Sequence, residues 1–218
     1  GALAAPGATV EEHYLLQRLL RALGSQNVDH RLYQGDFRGQ EEAPAFPGLG
    51  LPLAELEQAD AVLIVGSHLR KEAPLINHRI RKAVLGGARV AAINPVDYDL
   101  NYPLAAALTV PPGAMAATLA GVARALAVDA SGVEGLAARL EAVEASEAQE
   151  RVAAMLAEAS RPVVLLGGLA LAHPDLAGLR ALAAAVAGKS GGRLGYIAPG
   201  NAADAHLAGV LPNREAGA

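Results

Sequence analysis

The chain of 218 residues has no cysteine, no tryptophan and only seven aromatic side chains, five tyrosines and two phenylalanines. Without thiols it can form no disulfide, hold no thiolate zinc or iron–sulfur centre and use no cysteine nucleophile. Net positive charge is also missing: 18 Lys and Arg against 22 Asp and Glu leave a formal charge of −4. A surface that tracks phosphates needs the opposite balance, usually with interleaved aromatics, so no nucleic-acid partner is expected. No apolar run reaches the roughly 20 residues of a membrane span, and the start GALAAPGATV lacks the cationic lead and apolar core of a signal peptide. Direct membrane insertion is therefore not expected. The chain opens at Gly1 without a methionine, on small residues that read as the tail of a strand or loop, as expected of a piece cut from a larger protein.

What is abundant is small and aliphatic. Fifty alanines within a 52% hydrophobic composition specify a core of Ala, Leu and Val with close helix contacts. Thr9 and Glu12 form a capping box ahead of Leu15, Leu16, Leu19, Leu20 and Leu23, so a helix is expected over 9–23, stopped by Gly24. Residues 24–52 show little periodicity and read as a long irregular excursion, a length that is usually functional or interfacial. The apolar run Ala61–Val65 ends at Gly66, a helix-like stretch from about Lys71 stops at Gly86-Gly87, and Val90–Ile93 follows. Strand, helix, glycine stop and strand make a βαβ unit with parallel strands. Ala106–Val110 is a third strand, followed by a helix over 113–127.

The acidic, Ala-rich stretch 129–150 reads as a boundary and helical connection. Beyond it a second capping box, Ser146 with Gln149, opens a helix to about Ala159, and Val163–Leu166 leads into Gly167-Gly168. A helix from His173-Pro174 to Ala187 and a strand at Leu194–Ala198 complete the order. The expected class is α/β, with Rossmann-like parallel sheets and flanking helices in two lobes. The first lobe spans 1–128, its first strand cut off, and a second, partial lobe spans 151–218.

In open α/β sheets ligands sit beyond the carboxyl ends of the strands. Here those places hold Gly66, Ser67 and His68, then Asn94 with Asp97, then Gly167 and Gly168. The competing reading is that these residues only turn the chain. Six cations, Arg70, Lys71, Arg79, Arg81, Lys82 and Arg89, fall in twenty residues against the single Glu72; they mark either a solvated face or a surface for an acidic partner. Gly188-Lys189-Ser190 follows a helix, and Ala183 stands where a phosphate loop needs glycine, so it is not one. No G-x-S-x-G elbow and no H-E-x-x-H pair occurs, so no catalytic residue and no metal ligand is expected.

Three stretches in order resemble one family. ATVEEHYLLQRLLRALGSQNVDHRLYQGDF is similar to a capped helix, glycine, Asn and Asp segment of molybdopterin oxidoreductases, here Asn27 and Asp29. ADAVLIVGSHLRKEAPLINHRIRKAVLGGARVAAINPVDYD resembles the strand, turn and Arg-Lys-Glu-Ala-Pro helix of the branch found in the G-type subunit of bacterial complex I, NADH:quinone oxidoreductase. RPVVLLGGLALAHPDLAGLRALAAAVAGKSG, with Asn201 and LAGVLPNREAGA, is similar to that branch's later lobe. The resemblance implies a non-catalytic scaffold piece of the peripheral electron-transfer arm, in contact with other peripheral-arm subunits on the cytoplasmic side of the bacterial inner membrane. It implies 2Fe-2S and 4Fe-4S clusters in the parent subunit, and no cofactor in this piece. Catalytic relatives place an Asn-Pro pair where His68 and Leu69 stand, so Gly66, Ser67, His68, Asn94, Asp97, Gly167 and Gly168 are expected to be vestigial dinucleotide loops. Two alternatives stay open: a genuine molybdopterin oxidoreductase carrying a guanine dinucleotide, and the central domain of a thiamine-diphosphate enzyme, which ASRPVVLLGG also resembles.

Overall fold

A computed structural model describes residues 1–32, 35–41 and 43–214. Tyr33, Gln34 and residues 215–218, which belong to the resembling stretches, lie outside the described residues. In chain order the elements are β1 (Ala2–Leu3), α1 (Val10–Ala22), β2 (Val28–Asp29), β3 (Ala61–Val65), α2 (Leu69–Glu72) and α3 (Pro74–Leu85). Then come β4 (Arg89–Asn94), β5 (Ala106–Thr109), α4 (Met115–Ala125), α5 (Leu136–Glu141) and α6 (Glu147–Ala157). The chain continues through β6 (Pro162–Leu166), α7 (Gly168–Leu171), α8 (Leu176–Ser190), β7 (Arg193–Tyr196) and α9 (Ala202–Leu207). Two compact units result, Gly1–Gly48 with Ala198–Ala218, and Leu49–Ile197.

In the first unit β1 and β2 pair in parallel, Ala2 opposite Val28, with α1 as the crossover. Both halves of the Thr9–Glu12 capping box form, the Thr9 N–H donating to the Glu12 carboxylate at 2.8 Å. The buried face of α1 is not the leucine stripe that its periodicity suggests. His13 and Gln17 point inward, while Leu15, Leu19 and Leu23 are exposed. Polar partners make this possible: the His13 ring donates to the Ala5 carbonyl, and Gln17 accepts from Arg21. Arg21 in turn donates to the carbonyls of Gly209 and Leu211 at 3.0 and 3.3 Å. The segment 24–52 is likewise not irregular throughout. β2 lies within it, too short for a period-2 pattern to register, and Arg31 grips Asp29 in a two-pronged pair just beyond.

The second unit is built on one sheet. Among the described residues it has five strands, all parallel, in the order β5-β4-β3-β6-β7. β3 and β6 are buried along their whole length, which is why Ala61–Val65 and Val163–Leu166 read as unbroken apolar runs. Ala61, Leu63 and Val65 face α4, α6 and α8, whereas Val62 and Ile64 meet Leu56, Leu69 and Ile80 on the other face. Small residues bring the helices close, as expected of so much alanine. Gly121 on α4 lies against the Gln149 side-chain amide, which donates to the Thr118 carbonyl at 3.2 Å.

This sheet corrects the expected boundaries. Residues 129–150 do not divide the chain into lobes 1–128 and 151–218, because β3 and β6, one from each side, pair directly with Val62 opposite Val163. α5 lies inside that stretch and is fastened to the same unit, where Arg139 grips Asp175 through two bonds of 2.5 and 2.8 Å. Two units do exist, but residues 1–48 form one of them with the C-terminal α9 segment instead of joining β3 and β4.

Candidate functional site

The strand order places β3 at the sheet's turning point, with the chain winding through β4 and β5 to one side and through β6 and β7 to the other. In a doubly wound sheet the loops after the two strands at such a reversal flank the ligand crevice. Those loops are Gly66-Ser67-His68 after β3 and Gly167-Gly168 after β6, the positions singled out by the sequence. The structure brings five of the seven named residues together there, joined by Asn94 from the end of β4. Asp97 stands apart, exposed on the loop beyond β4 and lining a small hollow with Tyr98 and Thr109.

Each loop is held by its own backbone. The Gly66 N–H donates to the Ile93 carbonyl at 2.9 Å and the Gly167 N–H to the Val65 carbonyl at 2.8 Å. The Leu169 N–H donates to the Gly66 carbonyl at 2.9 Å, tying the second loop to the first. Ser67 is fully buried, and Asn94 clasps its peptide from both sides: Asn94 Oδ1 accepts the Ser67 N–H at 2.8 Å, and Asn94 Nδ2 donates to the Ser67 carbonyl at 3.1 Å. Gly167 leaves no room for more, since a Cβ there would stand 2.2 Å from that of Ser67.

Composition and spacing did not single out the residue that completes the site. Glu72, at the end of α2, accepts the Ser67 hydroxyl at 2.8 Å, the His68 N–H at 2.8 Å and the Gly168 N–H at 3.1 Å. In the sequence it is only the lone acid in a cationic run, and nothing local connects it with Gly168, 96 residues later. His68 itself stacks on Tyr98, ring centroids 4.4 Å apart and ring planes nearly parallel. No hydrogen bond from its ring is found among the described residues, and Asp99 is a charged neighbour, its carboxyl held below the usual range chiefly by the Asn101 N–H and in part by His68.

A dinucleotide phosphate requires free N–H groups at such loops. Here Gly66, Ser67, His68, Gly167, Gly168 and Leu169 all donate within the protein. The residues present therefore do not fit that group. No group of three or more His, Asp or Glu able to hold an ion is found among the described residues. His173 is engaged with the Pro112 carbonyl and the Asp175 N–H, and Ser190 back-bonds to Val186 at the end of α8.

The cation-rich helix is also largely satisfied from within. Arg79 and Lys82 share Glu57, whose carboxyl these two bonds hold below its usual range, Lys82 having the larger effect. Arg70 pairs with Asp99 and Arg89 with Glu158. Among the described residues no helix is long and apolar enough to cross a membrane.

A family model for molybdopterin oxidoreductases matches residues 1–205. The alpha subunit of an F420-dependent formate dehydrogenase from Methanocaldococcus jannaschii is 34% identical over 91 residues, 40% of this chain and 14% of that one. The 75 kDa subunit of NADH-ubiquinone oxidoreductase from Reclinomonas americana is 32% identical over 111 residues, 43% of this chain and 15% of that one. The G-type subunit of the NADH-quinone oxidoreductase of Rickettsia felis is 33% identical over 93 residues, 42% of this chain and 14% of that one. The chain thus spans about a seventh of the length of these relatives. A single family match running through both β3 and β6 leaves no place for the thiamine-diphosphate alternative. With a parallel sheet of this order and a match over nearly its whole length, the chain belongs to the molybdopterin oxidoreductase family.

Proposed function

We propose that this chain is a non-catalytic structural segment of a complex I subunit of the G or 75 kDa type. On this reading it scaffolds the peripheral arm through protein contacts with neighbouring subunits, on the cytoplasmic side of a bacterial inner membrane. Electrons pass through 2Fe-2S and 4Fe-4S clusters held by cysteines that this sequence does not contain. One observation carries the proposal: both glycine loops at the sheet's turning point spend their N–H donors internally, three of the site's donors on Glu72. A cofactor phosphate would have to break those bonds before it gained any. The similarity to the G-type and 75 kDa subunits supports the same assignment.

A second reading has its own support, the similarity to the formate dehydrogenase alpha chain. There the parent would be a genuine molybdopterin oxidoreductase with a guanine dinucleotide at these loops. Elemental analysis of the native parent protein, with a fluorescence assay for oxidised pterin, separates the two. The scaffold reading expects neither molybdenum, tungsten nor pterin; stoichiometric pterin would overturn it.

A further inference from the structure

The misfit between these loops and a nucleotide has a positive counterpart. We propose that Ser67, His68 and Gly168 form an oxyanion cradle whose resident ligand is the chain's own Glu72 carboxylate, and that the cradle binds a small free oxyanion when that carboxylate is removed. The inference rests on the reading that no dinucleotide occupies these loops.

Three donors from two loops far apart in sequence converge on one carboxylate, Oε2 taking the Ser67 hydroxyl and the Gly168 N–H while Oε1 takes the His68 N–H. Neutral donors meet the charge, for no ion pair to Glu72 is found among the described residues. This is how proteins hold a bound carboxylate or phosphate, with N–H and hydroxyl groups fixed in advance. The fixing is independent of Glu72. Asn94 clasps the Ser67 peptide, and the Gly167 and Leu169 amides flank Gly168 with bonds to Val65 and Gly66. Removing the carboxylate would leave the donors aimed at one point, with no other acceptor in place. Glu72 is an exposed residue, so the vacated space opens to solvent and a small anion can reach it.

The test compares the full chain with its Glu72→Ala variant, following thermal unfolding against acetate and inorganic phosphate, with chloride at matched ionic strength. The variant should unfold several degrees below the parent in chloride and recover with saturating dependence on acetate or phosphate, as expected for a ligand that binds only the folded state. The parent should respond no more than it does to chloride. In amide NMR spectra the His68 and Gly168 signals should titrate in the variant and stay fixed in the parent. Adding Ser67→Ala should weaken the anion response at least several-fold. If Glu72→Ala does not fold in chloride, recovery of folded protein on refolding in acetate or phosphate is the readout, and no recovery counts against the proposal. A variant indifferent to both anions, or a parent equally responsive, overturns it. Pterin in the native parent protein would instead remove the functional reading, so the two failures are distinguishable.

Discussion

Gly66 has φ +66°, and a Cβ built on it would stand 2.6 Å from the Ala170 nitrogen and 3.0 Å from the Ala170 Cβ. Both atoms belong to α7, which the Leu169 bond pins in place, so neither can yield cheaply. Gly66→Ala should therefore cost about 2–4 kcal/mol, left-handed strain of about 1–2 kcal/mol plus the displacement of a packed neighbour. Gly191 supplies the control. It has φ +71° but nothing within 4 Å, so Gly191→Ala should cost only the strain. Urea unfolding of both variants checks the difference, and equal losses would refute the role given to Ala170. At this scale the sequence was legible where local rules apply: a glycine after an apolar run marked the loop, and Asn94 lay at a strand end. It was silent on Glu72, whose task depends on Gly168 being brought to it by the pairing of β3 with β6.

Helix ends obey the same distinction between local and distant causes. The Ser146 hydroxyl accepts the Gln149 N–H, and the Gln149 side chain accepts the Ser146 N–H at 2.7 Å, the reciprocal bond that the S-x-x-Q spacing forecasts. Ser146→Ala should cost about 1 kcal/mol, the usual loss for an N-cap, by shifting the urea midpoint without altering the slope. An unchanged midpoint would mean that the Gln149 contact with Gly121 and Thr118 holds the end of α6 alone. Strands β3, β4 and β6 were visible because full burial writes a continuous apolar run. β1 and β2, two residues each, leave no such trace. The orientation of α1 was not legible either. Its leucines fit a helical face, yet His13 and Gln17 are the buried residues, each with one bond, His13 to the Ala5 carbonyl and Gln17 from Arg21 one turn on, while His13 Nδ1 and Gln17 Nε2 are buried without a partner among the described residues.

Across the whole molecule, the parallel sheet follows from element order, but the membership of each unit does not: residues 1–48 and the segment carrying α9 join through contacts nearly the full chain apart. That unit has a distinct titration chemistry. His30 and His206 meet edge to face, ring centroids 4.7 Å apart, each with Nδ1 bonded to a backbone carbonyl, of Val210 and Ala202 respectively. Burial is the main reason that both rings titrate below the ordinary 6.5, His206 at about 4. The carbonyl bonds act the other way, as does Asp29 on His30, while Arg31 lowers both rings, His13 lowers His30, and Arg214 and His30 lower His206. In the unfolded chain these histidines take a proton near 6.5, but the folded His206 does so only near 4. Between those values the unfolded state binds more protons, so stability falls as the pH drops through this window; it is fully present above about 6.5 and levels off below about 4. For His206 the loss is at most about 3 kcal/mol. Hydrogen exchange at pH 7 and pH 4.5 should show α1, β2 and α9 losing protection on acidification while β3 and β6 keep theirs. His206→Phe, which retains a ring and has no proton to take, should flatten that dependence. A loss of protection spread evenly over both units, or one unaffected by His206→Phe, would place the acid-sensitive group elsewhere.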